Sequence, residues 1–493
     1  MHPKRKVLIF LAVPVTAIVL LATVLIYRTV SITNVPPYHE DVILDDIDHN
    51  QAIARLSRAI QFPTVSYQDH DSIDYRVFRD FISFIEREFP LVHEHLEQER
   101  FGDYSLLYTW QGSSPNLDPV MMIGHYDVVP VDDHTLDNWQ YEPFSGELAD
   151  GYIWGKGAID DKSGILSNLE AAEYLLESGY RPERTILIGL NHDEEIGGRG
   201  GARVMADSLY TRGITLHFLI DEGLPVAEKI FSGITSPLAM IGVAEKGYVS
   251  LELSLTQEGG HSSMPPRETV IGIMSRAIND LNDNPMPGRF SGLIQESFIP
   301  VSPELPFTYR MALANLWLFR GLVESRLSDI PHTNAALRTT AAPTFFQSGI
   351  KENVLPTHAE AIVNFRIHPA DNVISVKEHV YKTINNSEIV VKEIEGARNP
   401  SFISETNNKP YLTVKKTIHD VFPGVPVAPS MFIAASDSRH FHDITRNIYR
   451  FRPIRAKPED RSRVHGTNER ISADNYREMI LFQIQLIKNS SSF

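Results

Sequence analysis

Three short apolar runs, each ending in a cluster of histidine and carboxylate residues, constrain this chain most. Val120-Met121-Met122-Ile123 leads into Gly124-His125-Tyr126-Asp127-Val128-Val129-Pro130. Thr185–Leu190 leads into His192-Asp193-Glu194-Glu195-Ile196-Gly197-Gly198, and Leu216–Ile220 into Asp221-Glu222-Gly223. Runs of this length, bounded by glycine and polar residues, read as buried strands. A helix is expected over Gly164–Glu177, because Ile165, Leu169, Ala172 and Leu176 share one face and Asp160 or Asp161 can cap its start. Strand, helix and strand in alternation predict an α/β layered fold. In open α/β sheets ligands collect at the carboxyl ends of the strands, which is where these clusters stand.

Each cluster has a chemistry it can serve. His125 is a natural zinc ligand, and Asp127, two residues on, points the same way in an extended segment and can accept its second ring N–H. In Trp154-Gly155-Lys156-Gly157-Ala158-Ile159-Asp160-Asp161-Lys162 the glycines permit a sharp turn, and Asp160 can bridge two cations. Glu195 can bind metal while its neighbour Glu194 takes a proton from a metal-held water. Val464-His465-Gly466-Thr467-Asn468-Glu469 adds a late histidine. Taken singly, each reads better as a polar loop or a helix cap. Taken together, they supply ligands for two zinc ions and a base.

The rest of the composition narrows the classes. With 62 acidic and 46 basic residues, the net charge is −16, which excludes a typical nucleic-acid binder. The absence of cysteine excludes disulfides, thiolate catalysis and Cys-ligated zinc, so any metal is held by His, Asp and Glu. Val7–Ile26 is apolar and uncharged, follows Lys4-Arg5-Lys6, and is long enough for a bilayer core of roughly 30 Å. It reads as an N-terminal transmembrane anchor with the remainder on the exported side, periplasmic, extracellular or lumenal. The expected organisation is a cytoplasmic stub and anchor over 1–28, a linker over 29–48, and a catalytic domain in two parts, 49–241 and 399–493. The pattern changes between 242 and 398, where Tyr248–Thr256 alternates as a strand with one solvated face and helices are expected over Val270–Asn282 and Ser375–Ile384.

The ordered set GHYDVVP, WGKGAIDDK, HDEEIGG, IDEG, GGHSSMPP and VHGTNE resembles the co-catalytic zinc family of aminoacylases, carnosinases and glutamate carboxypeptidases. It is closest to the branch that holds carboxypeptidase S and the N-fatty-acyl-amino-acid synthase/hydrolase. The resemblance implies a three-layer α/β catalytic domain with a mixed sheet, carrying an inserted α+β ferredoxin-like lid that serves dimerisation. It implies two Zn2+ per subunit, bound by His125, Asp160 as bridge, Glu195, Asp221 and His465, with Glu222 the alternative to Asp221. It assigns Glu194 as general base and Asp127 as the residue that orients His125. His261, Asn353 and Arg366 would contact substrate, Arg366 through the planar fork that suits a carboxylate. The implied reaction is cleavage of the amide bond of a peptide or N-acyl amino acid with a free carboxylate. Two rival readings are an N-fatty-acyl-amino-acid amidase or synthase instead of a peptidase, and a catalytically dead, membrane-tethered peptide-binding protein.

Overall fold

The computed structural model describes residues 3–31, 47–229, 236–290 and 292–491. The chain forms two compact units. One holds the N-terminal helix and Lys246–Pro400; the other holds the described residues between that helix and Glu245 and those from Ser401 on.

The larger unit is built on an eight-stranded mixed sheet. Its order is Glu97–Phe101, Ser105–Trp110, Ile186–Asn191, Val120–His125, Phe218–Ala227, Ile448–Ala456, Leu238–Glu245, Val427–Phe432. Val120–His125 pairs in parallel with both Ile186–Asn191 and Phe218–Ala227, so the three cluster-bearing strands lie side by side; the third does not stop at Ile220, as expected, but runs on through Asp221 and Glu222 to Ala227. Parallel strands covered on both faces need apolar residues at nearly every position, which is why these runs do not alternate. Met121, Ile123, Leu187 and Leu219 pack on helix Ala202–Thr211 through Ala202, Met205 and Leu209. On the opposite face, a Cβ at Gly124 would meet the side chains of Asp161 and Ile165 at 2.4 and 3.0 Å. This glycine lets helix Lys162–Glu177 approach the sheet closely.

The smaller unit holds a four-stranded antiparallel sheet in the order Thr340–Ser348, His358–Ile367, Gly247–Thr256, Val390–Glu393. With helices Val270–Asp283 and Val373–Ile384 this is a βαββαβ arrangement. The helices bury Val270, Met274, Ala277, Val376 and Val380 against Val249, Leu251, Leu253, Val363 and Phe365 of the sheet.

The N-terminal helix runs from Pro3 to Val30. Among the described residues no helix is long and apolar enough to cross a membrane. The first half of the expected anchor, before Val15, lies outside the residues whose side chains are described, and most of the expected linker (32–46) lies outside the described residues altogether. Phe365→Ala is expected to cost the Lys246–Pro400 unit about 3–5 kcal/mol, the usual result of emptying an aromatic core site, read by chemical denaturation.

Candidate active site

His125 closes its strand and is buried. Its Nδ1 lies 3.0 Å from the Asp127 carbonyl and 3.3 Å from Asp127 Oδ1. Its Nε2 faces Asp160 Oδ1 at 3.3 Å and Glu222 Oε1 at 3.4 Å. The second oxygen of Asp160 lies 3.2 Å from His465 Nε2, and His465 Nε2 lies 3.2 Å from Glu195 Oε2. One buried carboxylate therefore offers one oxygen to each imidazole. Donors around a tetrahedral zinc, with bonds of about 2.0–2.2 Å, stand about 3.3–3.6 Å apart, which matches these spacings. His125 Nε2 is buried with no hydrogen-bond partner, as expected of a ring nitrogen aimed at a metal. Two groups of donor atoms fall within 4.8 Å of one another: His125, Glu194 and Glu222, and Asp160, Glu195 and His465. The residues present fit a pair of cations.

The supporting structure explains why these side chains hold still. Asp127 is fully buried and accepts the backbone N–H groups of Glu194 and Glu195, each at 3.1 Å. It thus fixes the glutamate turn as well as the His125 ring. Glu469, also buried, accepts the N–H groups of Ile159 (2.9 Å) and Asp160 (3.1 Å), pinning the backbone that carries the shared carboxylate. His465 itself sits at φ 60°, in the left-handed region.

Asp221 is turned away from this group. Its oxygens accept the N–H of Ser438 and of its own neighbour Glu222, both at 2.8 Å, so on this strand it is Glu222 that reaches His125. His261, Asn353 and Arg366 belong to the other unit. There His261 is exposed and the backbone N–H of Ser262 donates to the carbonyl of Asn353 at 3.2 Å, while the Arg366 guanidinium lies 5.0 Å from the Tyr248 ring.

Two functional side chains were missed by the sequence reading. Arg452, buried, donates to Asp160 Oδ1 at 3.2 Å, approaches Asp161 Oδ1 at 3.3 Å and bonds Glu222 Oε2. Arg439 Nη1 lies 3.5 Å from Glu194 Oε1. Two arginines inside the otherwise apolar run Ile448-Tyr449-Arg450-Phe451-Arg452-Pro453-Ile454, and the polar stretch Ser436-Asp437-Ser438-Arg439-His440 after a strand, were the available signals.

The electrostatics follow from crowding carboxylates in a buried place. Burial drives the Glu194 carboxyl well above its ordinary range, with Asp437 and Glu222 adding to the effect, and burial raises Glu195 too. For Asp160 burial works upward, but the adjacent rings of His125 and His465 and the charge of Arg452 outweigh it and hold the group well below. His125 is lifted well above its usual value because Asp127, Asp160 and Glu222 outweigh its burial. Hydrogen bonds to Asp160 and Glu195 raise His465 to about 10.

A sequence match to the family described as Peptidase family M20/M25/M40 spans residues 121–489. This chain belongs to the M20 peptidase family. It is 41% identical over 491 residues to an N-fatty-acyl-amino acid synthase/hydrolase of Xenopus tropicalis, covering 98% of this chain and 95% of that protein. It is 37% identical over 482 residues to a probable carboxypeptidase S-like protein of Dictyostelium discoideum (95% and 92% covered), and 30% identical over 505 residues to carboxypeptidase S of Saccharomyces cerevisiae (92% and 86% covered). Among solved structures, an M20 metallo-carboxypeptidase of Sulfolobus solfataricus superposes with a TM-score of 0.65 at 19% identity, covering 91% of this chain and all of that one. The M20 chain is accordingly a metal-dependent hydrolase.

Two predictions concern the metal. At pH 7.5, below the raised value of about 10, His465 carries a proton in the metal-free protein. Ligand imidazoles must be neutral. Zinc loading is therefore expected to release protons, fewer as the pH approaches 10, and calorimetry in buffers of different ionisation enthalpy would show it. Arg452→Met leaves buried carboxylates unpaired. It should destabilise the metal-free protein by about 3–5 kcal/mol, with saturating zinc restoring much of the loss in a denaturant titration.

Proposed function

We propose that this M20 enzyme is a two-zinc amidohydrolase of N-acyl amino acids, acting on the amide bond beside a free carboxylate, with peptides as its second substrate class. The observation that carries the two-metal reading is the division of Asp160 between His125 and His465. The proposed ligands are His125, Asp160 and Glu222 on one side and Asp160, Glu195 and His465 on the other, Glu222 taking the place first given to Asp221. The preference for an acyl substrate rests on the 41% identity to a relative with that name; the carboxypeptidase S relatives keep peptides in view.

The zinc pair, when bound, lowers the pKa of a water molecule and polarises the amide carbonyl. Glu194 accepts the proton of the attacking water. Its carboxyl, raised by burial, holds a proton more tightly than an exposed carboxyl would and can hand it to the departing amine. Arg439, beside Glu194 Oε1, holds the base in place. Asp127 keeps His125 and the Glu194–Glu195 turn in register. A free substrate carboxylate calls for a cation or hydrogen-bond donors, and we assign that task to Asn353 and Arg366, and to His261 the substrate carbonyl.

Three further parts of the reading concern the whole molecule. We read the βαββαβ unit as a lid that also serves dimerisation; its exposed edge strand Thr340–Ser348 offers unpaired backbone groups to a second copy. We read the N-terminal helix as a single membrane anchor, supported by the uncharged run Val7–Ile26 behind Lys4-Arg5-Lys6. The catalytic unit then lies on the exported side.

Glu194→Gln is expected to retain metal and lose about 10²–10⁴ in kcat, the range for a general acid–base group. Metal analysis and turnover of an N-acyl amino acid would be measured on the same preparation; undiminished turnover removes Glu194 from the role. A panel of long-chain N-acyl amino acids against dipeptides separates the two substrate classes. Preference for dipeptides would reverse the order proposed here.

A further inference from the structure

The helices between Leu293 and Leu337 in the smaller unit enclose a small core in which Phe290, Ile294, Val323 and Leu337 are buried, with Leu316 and Phe319 packed beside them. One flank stays outside that core. Trp317 is 57% exposed, Leu318 47% and Leu322 56%. At 3.6 residues per turn these three share one side of helix Leu316–Ser328. Tyr309 and Phe307, on the preceding helix Phe307–Ala314, are exposed as well. A patch of this kind marks an interaction surface.

Its neighbour indicates what covers it. Helix Phe307–Ala314 packs on the N-terminal helix Pro3–Val30. At the corner before Leu316, fully buried Asn315 donates from Nδ2 to the Leu25 carbonyl at 3.2 Å and lies 3.5 Å from Thr29 Oγ1. Thr29 is itself buried, whereas Val15, Ile18, Val19 and Leu20, nearer the N-terminus, are all more than half exposed. The corner is therefore pinned level with the end of the apolar run at Ile26. Two residues beyond Asn315 stands Trp317. In a helix that leaves a bilayer near Ile26, this is the level of the headgroup layer, where tryptophan and tyrosine concentrate.

We propose that Trp317, Leu318 and Leu322 form a membrane-contact face that lies in the interfacial layer of the phospholipid bilayer from which the N-terminal helix emerges. This deepens the anchor reading given above and rests on it. The bilayer then meets the protein twice, through a spanning helix and through an interfacial one. The second contact orients the smaller unit against the lipid surface and spares it from swinging on the single helix.

The chain carries its own probe. Of its four tryptophans, Trp110 and Trp154 are buried and Trp139 is half-buried, which leaves Trp317 as the exposed one. The full chain would be assembled into phosphatidylcholine nanodiscs with and without bromine on the upper acyl chain, and its tryptophan emission compared. The expected result is quenching by the brominated lipid that disappears in Trp317→Phe and shrinks in Leu322→Ser, a milder surface change that keeps the fluorophore. Equal emission in both lipids, from chain retained in the discs, overturns the proposal and leaves the anchor standing. The same holds for quenching that survives in Trp317→Phe, or for cross-linking that shows a second copy on this face. Chain that stays out of the discs overturns anchor and surface together. Turnover of an N-acyl amino acid, assayed in the same discs, tests the hydrolase reading separately.

Discussion

Two imidazoles approach opposite oxygens of one buried carboxylate, and the surrounding structure is arranged to make that possible. Asp160 lies outside the three parallel strands, of which the first ends in His125, the second leads to Glu194–Glu195 and the third carries Asp221–Glu222; it arrives on the turn after Tyr152–Trp154. Its position is held from behind, by Glu469 on its backbone and by Arg452 on its side chain. The turn places its carboxylate between the two rings. Displacing that turn by an ångström would break both approaches at once, because His125 and His465 face the two oxygens of the same residue.

Such a site opposes the folding of its own metal-free state. Asp160, Asp161, Glu194, Glu195 and Glu222 crowd a region with little access to water, and burial of charge without compensation is costly. The chain answers with a proton affinity raised at Glu194, His125 and His465, and with Arg452 as a fixed cation that touches three of the carboxylates. Cations of higher charge relieve the same crowding more completely. Metal affinity and fold stability are thus two readings of one arrangement, and Arg452 divides the task with the metal.

Much of this was legible in the sequence because buried parallel strands leave a strong mark. Val120–Ile123, Thr185–Leu190 and Leu216–Ile220 are too short for helices and too apolar for a solvated sheet, and each stops at a polar cluster. The strand over Tyr248–Thr256 was legible for the opposite reason, since one face is solvated and the pattern alternates. What escaped was set by tertiary structure. The edge strand Thr340–Ser348 is mostly exposed, with a bulge between Pro343 and Phe345, so no periodicity separates it from a loop. Between adjacent Asp221 and Glu222, residue type cannot say which points at the histidine; the N–H groups of Glu222 and Ser438, the latter distant in sequence, capture Asp221 and leave Glu222 free to turn inward. Arg452 and Glu469 act on the site through contacts spanning about three hundred positions, which no local pattern records.

The chemistry of the centre also limits what it can decide. Its donors and its base address one carbonyl, one water and one nitrogen, and nothing among His125, Asp160, Glu194, Glu195, Glu222 and His465 distinguishes an acyl chain from a peptide. Selection between them must come from side chains farther out, where an apolar wall or a carboxylate clamp makes the difference. Direction is likewise not written into the centre. A carboxyl that takes a proton from water and gives it to an amine returns along the same path when acid and amine are plentiful, because a catalyst lowers the barrier from both sides. A centre of the proposed kind would therefore suit relatives whose names divide between carboxypeptidase and synthase/hydrolase. The physical differences among them belong in the surroundings of the amide bond, beyond the atoms that break it.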